Sequence, residues 1–319
     1  MPKITEKVVL QQLLACLTEH NLICPSQSAY RPHHNTETAL LKITNDILLA
    51  LKAGNVSLLT LLDLLAAFDT IDHCILLDRL QHMCGTSGTA LSWFSSYLTN
   101  RTQSVIVDDH ISQVSSLTYG VPQGSVLGPV LFILHTKPLS DFIQFRSIES
   151  QSFADDTKLQ VSVPPLNIQS VISSLETYLS DIQTWMLENK LKLNNDKTEA
   201  LLLRSSSKSF SVSKPTTISV CGCEISFSSS ARNLGFYIRD DMSVELHIEN
   251  VCRSAYSELR RISTIRHLLS VDSTKTLVSA FVLSRLDYCN SLLSSCPKHL
   301  LETLQKGPKL SCKTRPQRS

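Results

Sequence analysis

The sequence predicts an α+β fold, a compact sheet backed by helices with a helical module at its C-terminal end. Three observations carry this reading. Stretches with apolar residues at three-and-four spacing alternate with short apolar runs of strand length. Hydrophobic residues make up 42% of the 319 positions and charged residues 18%, enough for a buried core and too apolar for a disordered chain. Only 9 glycines, an aromatic share of 6% and no internal repeat exclude propeller-like and collagen-like architectures.

The elements follow in order. Residues 1–20 read as an amphipathic helix, with Ile4, Val8, Leu10, Leu13, Leu14 and Leu17 supplying most of an apolar stripe. After a turn around Pro25 and Pro32, TETALLKITNDILLALKAG reads as a second helix, with Leu40, Ile43, Ile47 and Leu51 on one face and Gly54 set to end it. SLLTLLDLL is near-continuously apolar, as in a strand covered on both faces, and its one charge is Asp63. DTIDHCILLDRLQHM starts a helix with Asp. Residues 103–107 and 113–119 read as a hairpin pair around Asp108 and Asp109, and YGVPQGSVLGPVLFILHTKPL as a turn opening onto an apolar helix. VISSLETYLSDIQTWMLENKL is a long amphipathic helix, KTEALLLR a strand, and the Ser-rich residues 205–217 a flexible loop. Small strands near TTISVCGCEISF and NLGFYI precede helices from about 242 to 306, and KGPKLSCKTRPQRS reads as a basic tail without periodicity.

The ten cysteines are scattered apart from Cys221 and Cys223, and no CxxC pair or Cys/His quartet completes a zinc site. Reduced thiols in an intracellular compartment, nucleus or cytoplasm, are expected. The N-terminal residues lack the unbroken apolar run of a signal peptide, and no stretch approaches the roughly 20 apolar residues of a membrane span. The net charge of +2 hides an asymmetry: residues 252–319 carry 12 Lys or Arg against 4 Asp or Glu, and residues 1–251 carry 18 against 24. That division suits a metal-binding body joined to a polyanion grip, or an ordinary solvated helical surface.

SFADDTKL, residues 152–159, sets Asp155 beside Asp156 where its flanks suit a strand. Adjacent strand residues point to opposite faces, so the pair is either a solvated hairpin turn or a turn tip that aims both acids at one site. Asp63, isolated at the end of an apolar strand, is costly there unless paired or metal-bound. Three carboxylates brought together repel one another unless divalent cations neutralise them, as in two-metal phosphoryl transfer.

LLDLLAAFDTIDH, YGVPQGSVLGPVLF, SFADDTKL, WMLENKLKLNNDKTEALLL and NLGFYI occur in this order and resemble the palm motifs of reverse transcriptases from non-LTR retrotransposons, the long interspersed element type. SQSAYRPHHNTETALL on the fingers side and FVLSRLDYCNSLL in the thumb extend the similarity over about residues 4–306. The resemblance implies a right-hand polymerase palm, partial fingers over 1–56, a palm over 57–240 with a finger insertion near 85–118, a helical thumb-like module over 241–306 and a disordered basic tail over 307–319. It implies RNA-directed DNA polymerase activity, adding deoxynucleotides to a primer 3′-hydroxyl. The partners implied are an RNA template, a DNA primer and dNTPs, with no membrane; the cofactor is a pair of Mg²⁺ ions, Mn²⁺ being a substitute.

Residue by residue, Asp63, Asp155 and Asp156 match the metal-binding acids, and Phe68 the aromatic that packs under the incoming sugar and excludes a 2′-hydroxyl. Gln123 and Gly124 match the turn against which nucleotide and template pack. Lys197 matches the position proposed to protonate or neutralise the departing pyrophosphate. Arg31 is a candidate triphosphate or template contact, and thumb residues Arg253, Arg260 and Arg261 are candidates for duplex phosphate contacts. His73 has no metal partner in view and reads as structural.

The chain departs from the family pattern in places. An Arg-Pro fingers motif and an endonuclease domain, usual upstream, are absent from the sequence, so truncated fingers are expected. IESQS is more polar than the apolar run that usually precedes the acids, Leu65 stands where Ser is common, and the last residues lose the resemblance. The alternatives are a non-catalytic remnant that at most binds nucleic acid and a palm polymerase copying DNA.

Overall fold

The computed structural model describes residues 2–146, 148–205, 215–294 and 296–311. Helix α1 (Pro2–Glu19) and helix α2 (Thr36–Lys52) precede strand β1 (Val56–Leu62). A reciprocal cap starts α2: Asn35 Oδ1 accepts from Thr38 N at 2.8 Å, and Thr38 Oγ1 accepts from Asn35 N at 2.9 Å. Asp72 caps α3 (His73–His82), accepting from the N–H groups of Cys74 and Ile75.

Next comes α4 (Gly88–Leu98), a helix the sequence pattern did not announce. The expected hairpin is a two-tier ribbon, with β2 (Arg101–Gln103) paired to β5 (Ser115–Leu117) and β3 (Ile106–Val107) to β4 (His110–Ile111). Helix α5 (Gly128–Phe145) leads to β6 (Glu149–Phe153) and β7 (Asp156–Val163), then α6 (Ile168–Glu188) and β8 (Glu199–Leu203). The hairpins β9 (Thr217–Val220)–β10 (Cys223–Ser226) and β11 (Ser230–Asn233)–β12 (Phe236–Arg239) follow. Residues 206–214 of the expected Ser-rich loop lie outside the described residues. The chain closes with α7 (Glu245–Ile265), α8 (Val271–Val278), the single turn α9 (Ser284–Leu286) and α10 (Lys298–Ser311). The last helix runs through Ser311, which corrects the expected structureless tail for residues 307–311; residues 312–319 lie outside the description.

The central sheet has four antiparallel strands in the order β6-β7-β1-β8. Its apolar centre strand is buried on both faces, as SLLTLLDLL predicts. Val56, Leu58 and Leu62 join a core with Leu131 and Phe132 of α5 and Ile172, Leu179 and Ile182 of α6. Leu59 faces the other way, into a second core with Leu40, Ile43 and Ile47 of α2 and Phe236, Ile238, Ile248 and Cys252 of the C-terminal third. The C-terminal helices are therefore packed onto the sheet and α2 rather than set apart, and Glu37 adds a tie by accepting from Ser291 N at 3.0 Å.

Candidate active site

Strand β1 ends where β7 begins. Leu62 pairs with Thr157, so the next step of the antiparallel register sets Asp63 across from Asp156. The β6–β7 hairpin closes with Phe153 opposite Asp156, leaving Ala154 and Asp155 as a two-residue turn with Ala154 at φ +56°. SFADDTKL is thus a hairpin tip, the form in which adjacent acids escape strict strand alternation.

The two acids have different surroundings. Asp156 and Asp63 line one open cleft of about 400 Å³ together with Asp196, Lys197, Glu199 and Arg232. Asp155 lines a small neighbouring cavity with Gln27, Phe132 and Thr136, and its charge pushes the Tyr30 hydroxyl pKa up, after burial. Among the described residues no three His, Cys, Asp or Glu side chains gather closely enough to hold an ion.

Burial pushes the Asp156 carboxyl above its ordinary range; Lys158 pulls it down, and the charges of Asp155 and Asp63 push it up. Lys158 is itself buried two residues along β7, its Nζ has no hydrogen-bond partner, and burial lowers its pKa to about 8. Asp63 is anchored by Asn194, which donates from Nδ2 to Oδ2 at 3.0 Å and from its backbone N to the Asp63 carbonyl at 2.9 Å. Lys197 reaches to 4.0 Å from the same Asp63 oxygen on a side chain 72% exposed. An oxygen-only donor set on facing strand ends, with mutual carboxylate repulsion left to neutralise, fits a hard divalent cation chemically.

The remaining predicted residues divide. Phe68 is half-buried and stacks on Phe132 at 4.8 Å between ring centroids, so it edges the core beneath the acid turn. Gln123 donates from Nε2 to both carboxylate oxygens of Asp69, at 2.9 and 3.0 Å, in a second cleft of about 590 Å³ lined also by Arg101 and Tyr119. Gly124 follows at φ +72° with open space where a Cβ would stand. Arg31 is turned back on its own loop: Nη1 donates to the carbonyls of Cys24, Pro25 and Gln27 at 3.1 to 3.4 Å. His73 is buried and donates from Nε2 to Gly120 O at 2.8 Å, the structural role expected of it. In the thumb candidates, Arg261 is paired with Glu258 at 3.3 Å, while Arg253 and Arg260 are exposed seven residues apart on one face of α7.

Four contributors had escaped the sequence reading. Asp69 follows Phe68, Asn194 stands three residues before Lys197, and Gln27 lies in SQSAYRPHHNTETALL four residues before Arg31. Glu6 carried no local signal; its Oε2 accepts from Val126 N at 2.6 Å, while Gln27 bonds the acid turn across 127 positions.

Known proteins resemble this chain in sequence and in fold. The family model described as reverse transcriptase (RNA-dependent DNA polymerase) matches residues 2–238. The chain is 26% identical over 266 residues to the RNA-directed DNA polymerase from mobile element jockey of Drosophila melanogaster, covering 82% of this chain and 28% of that protein. It is also 26% identical over 284 residues to the probable RNA-directed DNA polymerase from transposon BS of the same species, covering 87% of this chain and 30% of that one. The fold is similar to apo telomerase from Candida Tropicalis, with a TM-score of 0.55, 13% identity and coverage of 97% of this chain and 50% of the other. The chain thus spans about three tenths of the length of these curated relatives. Taken with the facing acids on the central sheet, the match over residues 2–238 shows that the chain belongs to the reverse transcriptase family.

Proposed function

We propose that this chain is the polymerising unit of a retrotransposon-type RNA-directed DNA polymerase, extending a DNA primer on an RNA template with dNTPs. The observation that carries the reading is the register that sets Asp63 opposite Asp156 in a cleft shared with Lys197, with Asp155 one residue away in the turn. Asp63 and Asp156, which share the cleft, would hold a divalent ion, Mg²⁺ or Mn²⁺, and Asp155 would join them once the turn carries it from its neighbouring cavity; bound there, such ions supply activation of the primer hydroxyl and charge stabilisation at the transferred phosphate. Asn194 keeps the Asp63 carboxylate oriented toward the cleft, and Lys197 offers positive charge beside it for a departing pyrophosphate. Phe68 presents a rigid edge against which a deoxyribose fits and a 2′-hydroxyl does not. Gln123, held by Asp69, and Gly124, free of a side chain, shape the turn that receives nucleotide and template.

In this reading residues 1–56 are fingers, 57–240 palm with an insertion near 85–118, and 241–306 thumb. The exposed Arg253 and Arg260 on α7 would meet duplex phosphates. Among the described residues no helix is long and apolar enough to cross a membrane. The test is extension of one DNA primer annealed to RNA or to DNA, with Mg²⁺ and after chelation. Chelatable extension favouring RNA is expected. Extension on DNA alone would move the assignment to a DNA-copying polymerase, and duplex binding without extension would leave a non-catalytic nucleic-acid binder.

A further inference from the structure

Ala154, the first residue of the acid turn, sits at φ +56°, in the left-handed region. An alanine there is disfavoured roughly tenfold relative to glycine, because its Cβ crowds the following carbonyl. The turn is therefore held from outside, and one side chain does it. Gln27, only 2% exposed, accepts on Oε1 from Ala154 N at 3.0 Å and donates from Nε2 to Ala154 O at 3.2 Å. Both polar groups of the strained residue are thus satisfied by a single amide, whose Oε1 also accepts from Ala29 N at 2.9 Å.

The segment carrying Gln27 is itself tied to the hairpin. Ser28 N donates to Ser152 O at 2.9 Å and Ser152 N donates to Ser26 O at 2.8 Å, a parallel bridge on the free edge of β6. Gln151 adds a bond from Nε2 to Ser28 Oγ at 2.6 Å. Behind it, Arg31 closes the loop by donating to the Gln27 carbonyl at 3.1 Å. A continuous set of bonds thus runs from Arg31 through Gln27 to Ala154, the residue immediately before Asp155 and Asp156.

We propose that Gln27 is a positioning residue: it fixes the left-handed acid turn, and so ties the placement of Asp155 and Asp156 to the fingers-side loop braced by Arg31. This rests on the polymerase reading of the site. Gln27 touches no reacting atom; it acts through Ala154.

The test uses the full chain with Gln27→Met, which keeps side-chain bulk and removes all three hydrogen bonds, and the double variant Gln27→Met/Ala154→Gly. Primer extension on an RNA template gives kcat and KM for the dNTP; hydrogen–deuterium exchange is followed across residues 150–160 and, as reference, across β8. In Gln27→Met, kcat falls about 10- to 100-fold with KM changed less than about twofold, since misplaced acids cost rate rather than nucleotide affinity. Hairpin exchange accelerates about tenfold or more while β8 exchange is unchanged. Glycine takes the left-handed turn unaided, so the double variant recovers most of kcat. Wild-type kcat and hairpin exchange in Gln27→Met overturn the proposal, as does a folded double variant as slow as the single one. A wild-type chain that extends no primer sinks the polymerase reading instead; hairpin exchange, which needs no activity, then decides on Gln27 alone.

Discussion

The carboxylate of Glu6 accepts the backbone N–H of Val126 at 2.6 Å and that of Leu127 at 3.4 Å, so a buried acid from α1 caps the start of α5. The helix it caps begins four residues after Gly124, which links the first helix of the chain to a predicted substrate contact. Capping places the anion at the positive end of the helix dipole and satisfies donors that have no intrahelical partner. Replacing Glu6 by Ala leaves those donors buried and unpaired, at a cost of about 1–3 kcal/mol in urea unfolding, with Glu6→Gln costing less because one acceptor oxygen remains.

Gly120 is a second fixed point of that turn. At φ +87° a Cβ would stand 3.0 Å from both the Cα and the carbonyl oxygen of Asp69 and 3.1 Å from the carbonyl oxygen of Phe68. The obstacle is backbone, which cannot swing aside. Gly120→Ala is expected to destabilise by about 2 kcal/mol or more and to displace Phe68 and Asp69. Unchanged thermal stability in this variant would contradict the tight approach of the two loops.

Two buried histidines make the fold acid-sensitive. Burial lowers the pKa of His135 and of His247 from 6.5 to about 4, and the Nδ1 atoms of both lack a partner. The unfolded chain binds these protons more readily than the folded one, so the stabilisation is complete above the unfolded pKa near 6.5 and is lost as pH falls toward 4. Each contributes a slope of about 1.4 kcal/mol per pH unit through that window. His247 stacks on Phe236 at 4.0 Å, so His247→Phe preserves an aromatic there. Comparing urea midpoints at about pH 7 and about pH 5 should show a smaller acid loss in that variant than in the wild type.

Phe68 offers a specificity test. Phe68→Val trims the edge that excludes the 2′-hydroxyl and removes the stack on Phe132. The ratio of dNTP to rNTP kcat/KM is expected to fall by about tenfold or more. A ratio unchanged beside a stability loss of about 1–3 kcal/mol would leave Phe68 as a core aromatic only.

The parts of the fold that were legible in the sequence are those with a local period. SLLTLLDLL reads as a strand buried on both faces because both faces are apolar, and Leu58 and Leu59 indeed enter different cores. Helix α6 was legible from Ile172, Leu175, Leu179, Ile182 and Met186 at three-and-four spacing, all buried. Helix α4 was not, because GTALSWFSSYL mixes aromatics with serines and buries only Phe94 and Leu98. In the site, the acids were legible because their motifs keep chain order. The residues that brace the site were not: Gln27 holds the acid turn across 127 positions and Glu6 the start of α5 across 120, and nothing local tells a glutamine which peptide it will clamp. Arg31 shows the converse, a motif position whose guanidinium braces its own loop.

The most direct measurement is templated incorporation of a single deoxynucleotide by the wild-type chain and by Asp156→Asn, a change that removes one of the facing carboxylates and keeps its shape. The wild type should incorporate only the complementary nucleotide and only with a divalent ion, and the variant, folded as before, should be slower by about 10³-fold, roughly 4 kcal/mol of barrier. Equal incorporation by the two proteins would contradict the assignment of chemistry to the cleft between Asp63 and Asp156.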